Sequence, residues 1–246
     1  MNRYQVLIEY VGSNFRGWQI QKKGPTIQGL IQEKISKLLK EKIILNGSGR
    51  TDTGVHAMEQ SAHFDCSNKI LDLTKFLKSI NHFLNEKGVA ITTIKKRSNK
   101  FHSRYSAKQR IYKYIIFNQI SAPVIDNRRG WHVRKSLDVE LIKKGARKLI
   151  GTNDYSTFRS SSCHAKSPIR TIKSIKIKST KNRIEIEFKS KSFLQQQVRS
   201  MVGCLKYLGE KKWDLKTFDK IFKSKKRILC APPAPPQGLY LFRVIY

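Results

Sequence analysis

The hydrophobic residues of this 246-residue chain change their spacing again and again, and each change separates a strand from a helix. A strand returns to the same face every second residue, a helix every 3.6. RYQVLIEYV (3–11) is rich in β-branched and aromatic residues, so it predicts an opening strand closed by Gly12-Ser13-Asn14. Thr26 is placed to cap a helix running to about Lys40, because Ile27, Leu30, Ile31, Ile35, Leu38 and Leu39 share a face. A short strand at 43–45 then leads into a glycine-punctuated loop from Asn46 to Val55, with another strand at 60–66. Asp72 caps a second amphipathic helix, with Leu73, Phe76, Leu77, Ile80 and Leu84 inward, and 89–94 closes the series as a strand.

The second half repeats the theme more loosely. QRIYKYIIFN (109–118) predicts a strand, 138–150 a helix ended by Gly151, and 172–177 with 184–188 a hairpin. Ser192 is placed to cap a helix to about Leu208, and a short helix is predicted at 215–222. APPAPPQG (231–238) holds four of the seven prolines and predicts an extended, polyproline-like arm before a last strand at 239–246. The predicted fold class is α+β: two similar subdomains, residues 1–105 and 106–246, each a mainly antiparallel sheet with helices on one face.

Charge narrows the partners. Lys and Arg outnumber Asp and Glu by 50 to 17, a net +33 weighted toward residues 106–246. Such a field draws in a polyanion and makes its binding salt-dependent. A general lysine bias of the composition accounts for part of it. No apolar stretch approaches the roughly 18 residues of a membrane span. Cys66, Cys163, Cys204 and Cys230 lack the close pairing of a zinc ribbon, and in a chain this long they predict reduced thiols and a cytoplasmic setting.

Chemistry concentrates in the loop NGSGRTDTGVHA (46–57), where Gly47, Gly49 and Gly54 bracket Arg50, Thr51 and Asp52. Glycines permit close approach by another molecule, and an Asp beside an Arg in so basic a protein favours the carboxylate, a form suited to nucleophilic attack. A plain surface turn is the competing explanation from composition alone.

GRTDTGVHA (49–57) resembles, at every fixed position, the GRTDxGVHA signature of TruA-type tRNA pseudouridine synthases. Further blocks carry the resemblance along nearly the whole chain: GSNFRGWQIQ (12–21), FHSRYSA (101–107), RIYKYIIFN (110–118), DYSTFRSSSC (154–163) with SPIRTI (167–172), FLQQQVRSMVG (193–203) and GLYLFRVIY (238–246). Gln197 stands where the family has Met, and INHFLNEKGVAI (80–91) lacks the family's proline and aspartate.

The resemblance implies a cofactor-free and metal-free isomerase that turns uridine into pseudouridine at positions 38, 39 and 40 of the tRNA anticodon arm. It implies a catalytic cleft between the subdomains, base flipping, a homodimer, and neither DNA nor membrane as partner. Asp52 stands at the nucleophile. Tyr112 stands where a ring stacks on the target base and its hydroxyl is a candidate for proton transfer. Arg199 stands at the arginine that pairs with the aspartate, Leu239 at the apolar residue packing the other side of the site, and Arg50 at the arginine that holds the RNA once the base is out. Arg110, Arg159 and Arg170 lie in matched blocks and are expected to contact RNA, with Arg104. His102 is equally placed for RNA contact or for a structural hydrogen bond. Phe15 and Trp18 are expected in the core, and the basic cluster Lys143, Lys144, Arg147 and Lys148 fits either RNA contact or a solvated helix face.

Two rival functions are weaker. Asp52-Thr53-Gly54 spells the D-T-G of a dimeric aspartic protease, but that chemistry needs two carboxylates sharing a proton, and Arg50 with the +33 charge opposes it. A non-catalytic RNA-binding protein would share the charge without needing Asp52.

Overall fold

The opening strand, β1 (Asn2–Tyr10), is the spine of the first of two units in the computed structural model, which describes residues 1–246. This unit comprises residues 1–108 and 240–246. β1 pairs antiparallel with β3 (His56–Cys66) on one side and with β4 (Val89–Arg97) on the other, so that Val6 faces both Ala62 and Ile94. β2 (Asn46–Gly47) adds a short antiparallel pairing to β3. Two helices complete the unit, α1 (Ile27–Leu39) and α2 (Leu73–Leu84). Thr26 and Asp72 cap them as predicted, accepting from Gly29 N and Lys75 N. Tyr4 and Phe64, cross-strand partners, stack at 5.8 Å, and Phe64 stacks in turn on Phe76 of α2. Ile27, Ile31 and Ile35 of α1 are fully buried.

The second unit spans residues 109–239. Its antiparallel sheet runs in the order β5 (Gln109–Asn118), β9 (Arg183–Ser190), β8 (Ile169–Ser179), β7 (Gly151–Asp154), with β6 (Trp131–Val133) parallel to β5. Ile184, Ile186 and Phe188 alternate with exposed-face residues along β9, as the sequence predicts. α3 (Val139–Lys148) and α5 (Leu215–Lys223) flank α4 (Gln197–Gly209), whose Val198, Met201, Val202, Cys204, Leu205 and Leu208 are all buried. A Cβ on Gly145 would lie 2.3 Å from Leu208 and one on Gly209 would lie 2.7 Å from Ile142, so these glycines let α3 and α4 approach closely.

Three local expectations differ from the structure. Residues 43–45 alternate like a strand, with Ile43 and Leu45 buried and Ile44 exposed, yet they pair with no strand. Side chains of α1 take the place of the neighbour: Ser36 Oγ and Gln32 Oε1 accept from Ile43 N and Leu45 N, and Gln28 donates to Leu45 O. The helix expected from Ser192 starts later. Residues 194–197 form a turn closed by Gln197 N donating to Leu194 O, with Gln196 at φ 61, and the Gln197 side chain accepts from Leu194 N as α4 begins. Gly151, expected directly after the cap of α3, lies two residues past the Leu149 C-cap and opens β7 opposite Ile172.

The last strand, β10 (Leu239–Ile245), leaves the C-terminal half to which the 105/106 division assigned it. Tyr240 and Leu241 pair in parallel with His56 and Ala57 of β3, and Ile245 O accepts from Lys108 N. Local patterning identifies a strand without saying which distant neighbour it joins. The block lacking the family's proline and aspartate closes by other means: Gly88 at φ 70 ends the turn after α2, and the Asn81 amide bonds both N and O of Ile91.

Candidate active site

The loop bearing Asp52 is held through its backbone. β2 starts it opposite His63, and Ser48 N bonds Ser61 O. Its carbonyls are then engaged one after another: Gly49 O accepts from Gln60 Nε2, Thr51 O from Trp18 N, and Asp52 O from Val55 N. The last bond closes a turn with Gly54 at φ 79. The Thr51 hydroxyl is buried 2.8 Å from the Tyr10 phenol, and Asp52 itself is half-buried beside an exposed Arg50. A loop with so many engaged carbonyls holds the backbone that carries Asp52 in place.

The segment GSNFRGW, 34 to 40 residues upstream, forms the wall of this loop. Gly17 at φ 85 runs so close that a Cβ would sit 2.5 Å from Thr51 O, and a Cβ on Gly12 would sit 2.0 Å from Val55 O. The Trp18 indole covers Gly47. Trp18 and Phe15 are buried, as expected of core residues. Gly12 N donates to Nδ1 of His56, a buried ring stacked on Tyr240 at 4.8 Å. Tyr10, Gln60 and His56 are thus positioning residues that sequence reasoning missed; the signature contains His56, while Tyr10 and Gln60 read as ordinary strand positions.

In the second unit, Arg110, Tyr112 and Tyr114 alternate along β5 and are all buried. Tyr112 meets Phe193 edge-on at 5.2 Å and 85°. Arg110 donates to Lys191 O. Arg199, in the first turn of α4, is bound to the proline-rich arm in both directions: its Nε donates to Ala234 O, and its own backbone O accepts from Ala234 N. Gly203 gives the arm room, since a Cβ there would meet Pro232 O at 2.1 Å. Tyr114 ties down the far end of the arm by donating to Pro235 O at 2.8 Å, directly before the buried Leu239. Burial pushes the Tyr114 phenol well above its usual pKa, against a smaller opposing pull from the Arg199 charge. The structure therefore gathers Tyr114, Arg199 and the arm into one assembly, and Tyr114 went unremarked in the sequence.

Arg159 and Arg170 come together around Cys163. Arg159 donates to Cys163 O, and Arg170 to Ser167 O and Ile169 O. His102 has a structural bond: its Nδ1 accepts from the backbone N of Arg104. Burial, with the charges of Arg3 and Arg104, keeps its pKa below the ordinary value, in keeping with an acceptor nitrogen. On α3, Lys143 pairs with Glu140 and Lys148 with Asp219 at the surface. No cluster of His, Cys, Asp and Glu is arranged to hold a metal ion, and no helix is long and apolar enough to cross a membrane.

Comparison with known proteins bears on this arrangement. The family described as tRNA pseudouridine synthase matches residues 6–106 and again 146–246. A tRNA pseudouridine synthase A from Pelagibacter ubique is 69% identical over 246 residues, covering all of both chains. Proteins of the same name from Parvibaculum lavamentivorans and Sinorhizobium medicae are 39% and 38% identical, again over the full length of each. Both the two matched segments and this identity along whole chains show that the chain belongs to the tRNA pseudouridine synthase family, isomerases that turn uridine into pseudouridine in tRNA.

Proposed function

We propose that the chain isomerises uridine at positions 38, 39 and 40 of the tRNA anticodon stem-loop, with Asp52 as the nucleophile and the target base flipped out of its stack. The observation that carries this reading is the backbone-clamped Asp52 loop, in which Gly49, Thr51 and Asp52 all have their carbonyls engaged. Extrusion of the base costs a few kcal/mol, which stacking and phosphate contacts offset. The Asp52 carboxylate attacks the uridine, at the base or at the sugar, and the N1–C1′ bond breaks. The freed uracil turns, a C5–C1′ bond forms, the bond to Asp52 breaks to return the carboxylate, and the C5 proton leaves as N1 gains one. Atoms and electrons balance within the nucleotide, so the reaction calls for no metal or redox cofactor.

The other roles follow the family motifs. Tyr112 stacks on the base and its phenol serves the final proton transfer. Arg199 neutralises Asp52, Leu239 packs against the uracil, and Arg50 holds the RNA after flipping. Arg104, Arg110, Arg159, Arg170 and His102 contact the substrate. The enzyme works in the cytoplasm as a homodimer, which sedimentation at working concentration checks directly.

Tritium release from C5-labelled uridine in tRNA tests the chemistry. Wild type releases label without added metal, while Asp52→Ala retains tRNA binding and releases none. Binding without release by the wild type would select the non-catalytic alternative.

A further inference from the structure

The segment FHSRYSA (101–107) holds an aromatic residue that the chemistry above does not use. Tyr105 is 74% exposed, although its neighbours Ser103 and Ala107 are buried. Exposure of one ring is ordinary; the stiffness of its mount is the informative part. Ser106 N bonds His102 O, Ser106 Oγ accepts from His102 N, and His102 Nδ1 accepts from Arg104 N, so residues 102–106 form a closed turn. The His102 ring lies 4.4 Å from the Tyr105 ring, and the Arg104 guanidinium lies 5.5 Å from its centroid. Ser103 fastens the turn to the rest of the unit. Its carbonyl accepts from the Tyr246 phenol, and its hydroxyl donates to Asn46 O at 2.6 Å. Asn46 is the first residue of the loop that carries Asp52. Charge points to the kind of partner, since no carboxylate occurs in the sequence between Glu86 and Asp126.

We propose that Tyr105, held by His102 and Arg104 on a turn anchored to the Asp52 loop, is a stacking platform for an unpaired base of the RNA outside the target uridine. Every base has a π-face, so such a platform adds affinity with little sequence preference, and the adjacent guanidinium adds a cation–π contribution. The inference rests on the tRNA-binding reading above and assigns a binding role, with no part in bond making.

The test uses the full chain and an unmodified tRNA transcript, with filter binding and single-turnover tritium release measured side by side. Tyr105→Ala and Tyr105→Leu should each weaken binding roughly ten-fold or more, and Tyr105→Phe and Tyr105→Trp should stay within about two-fold of wild type. The single-turnover rate at saturating enzyme should change little in all four. The slope of log Kd against log salt should be unaltered, because no charge is lost. Wild-type binding by Tyr105→Leu overturns the proposal, as does a loss in Tyr105→Phe equal to that in Tyr105→Ala. A change of sedimenting species in Tyr105→Ala also overturns it, since the ring would then pack against a second copy of the chain. Weakened binding in these variants, in a wild type that releases no tritium, would sink the synthase reading and leave the platform standing.

Discussion

Gly17 shows how closely the site depends on single atoms. Its φ of 85 suits glycine, and the Thr51 carbonyl occupies the space a side chain would need. Gly17→Ala must therefore both strain the backbone, at about 1–2 kcal/mol, and displace the loop that holds Asp52. Thermal melting should show a modest loss of stability, and tritium release a far larger loss of rate, because a shift of 1 Å can cost about a hundred-fold. A second residue-scale expectation concerns acid. His63 is buried on β3 with its Nδ1 2.9 Å from the Ser103 hydroxyl, and burial, with smaller effects from His102 and Arg3, depresses its pKa from 6.5 to about 4. Between those values the unfolded chain binds the extra proton, so the stability this neutral ring confers is present above pH 6.5 and is lost as pH falls toward 4. Unfolding free energies from urea titrations at pH 7.5 and 4.5 should differ by on the order of 1–3 kcal/mol, and His63→Gln should shrink that difference.

At the scale of elements, the proline-rich arm matters more than its lack of regular structure suggests. It lies along α4, takes hydrogen bonds from Arg199 and Tyr114, and leads into Leu239. Tyr114→Phe removes one hydroxyl in the interior and leaves Pro235 O without that donor, at a cost of about 1–3 kcal/mol. Equilibrium unfolding should register that cost, and activity should fall with it if the arm sets the Arg199 guanidinium; full activity in a destabilised Tyr114→Phe protein would separate the two. Four of the predicted helices, α1, α2, α3 and α5, stand close to their expected bounds, as does the strand Gln109–Asn118, without a residue's difference. Periodicity failed where another group replaced the usual partner. Residues 43–45 have a strand's burial pattern but bond to the side chains of α1, and α4 starts where Gln197 caps the preceding turn instead of at Ser192.

For the molecule as a whole, the net charge of +33 predicts how binding responds to salt. If the enzyme neutralises about six to ten phosphates, affinity for tRNA should fall by roughly 10³–10⁵ between 50 and 200 mM salt. A shallow slope would show that much of the lysine excess is solvated surface, as the ion pairs of Lys143 and Lys148 already are. Family membership was legible because the signature around Asp52 is contiguous, and the same contiguity marked Arg50 and the glycine that closes the turn. Gln60 and Tyr114 were not legible, since a buried polar residue in a strand looks alike whether it braces a loop or fills a core.

The sequence by itself determined the kinds of element, their caps and the Asp52 loop, because each depends on residues within a few positions of one another: Thr26 with Gly29, Asp72 with Lys75, Gly54 beside Asp52. Tertiary structure alone decided that β10 runs parallel to β3, that Gly12 and Gly17 wall the Asp52 loop, and that the arm grips Arg199. Those choices join segments tens to well over a hundred residues apart, and hydrophobic period carries no information about which distant surface will fill a given gap.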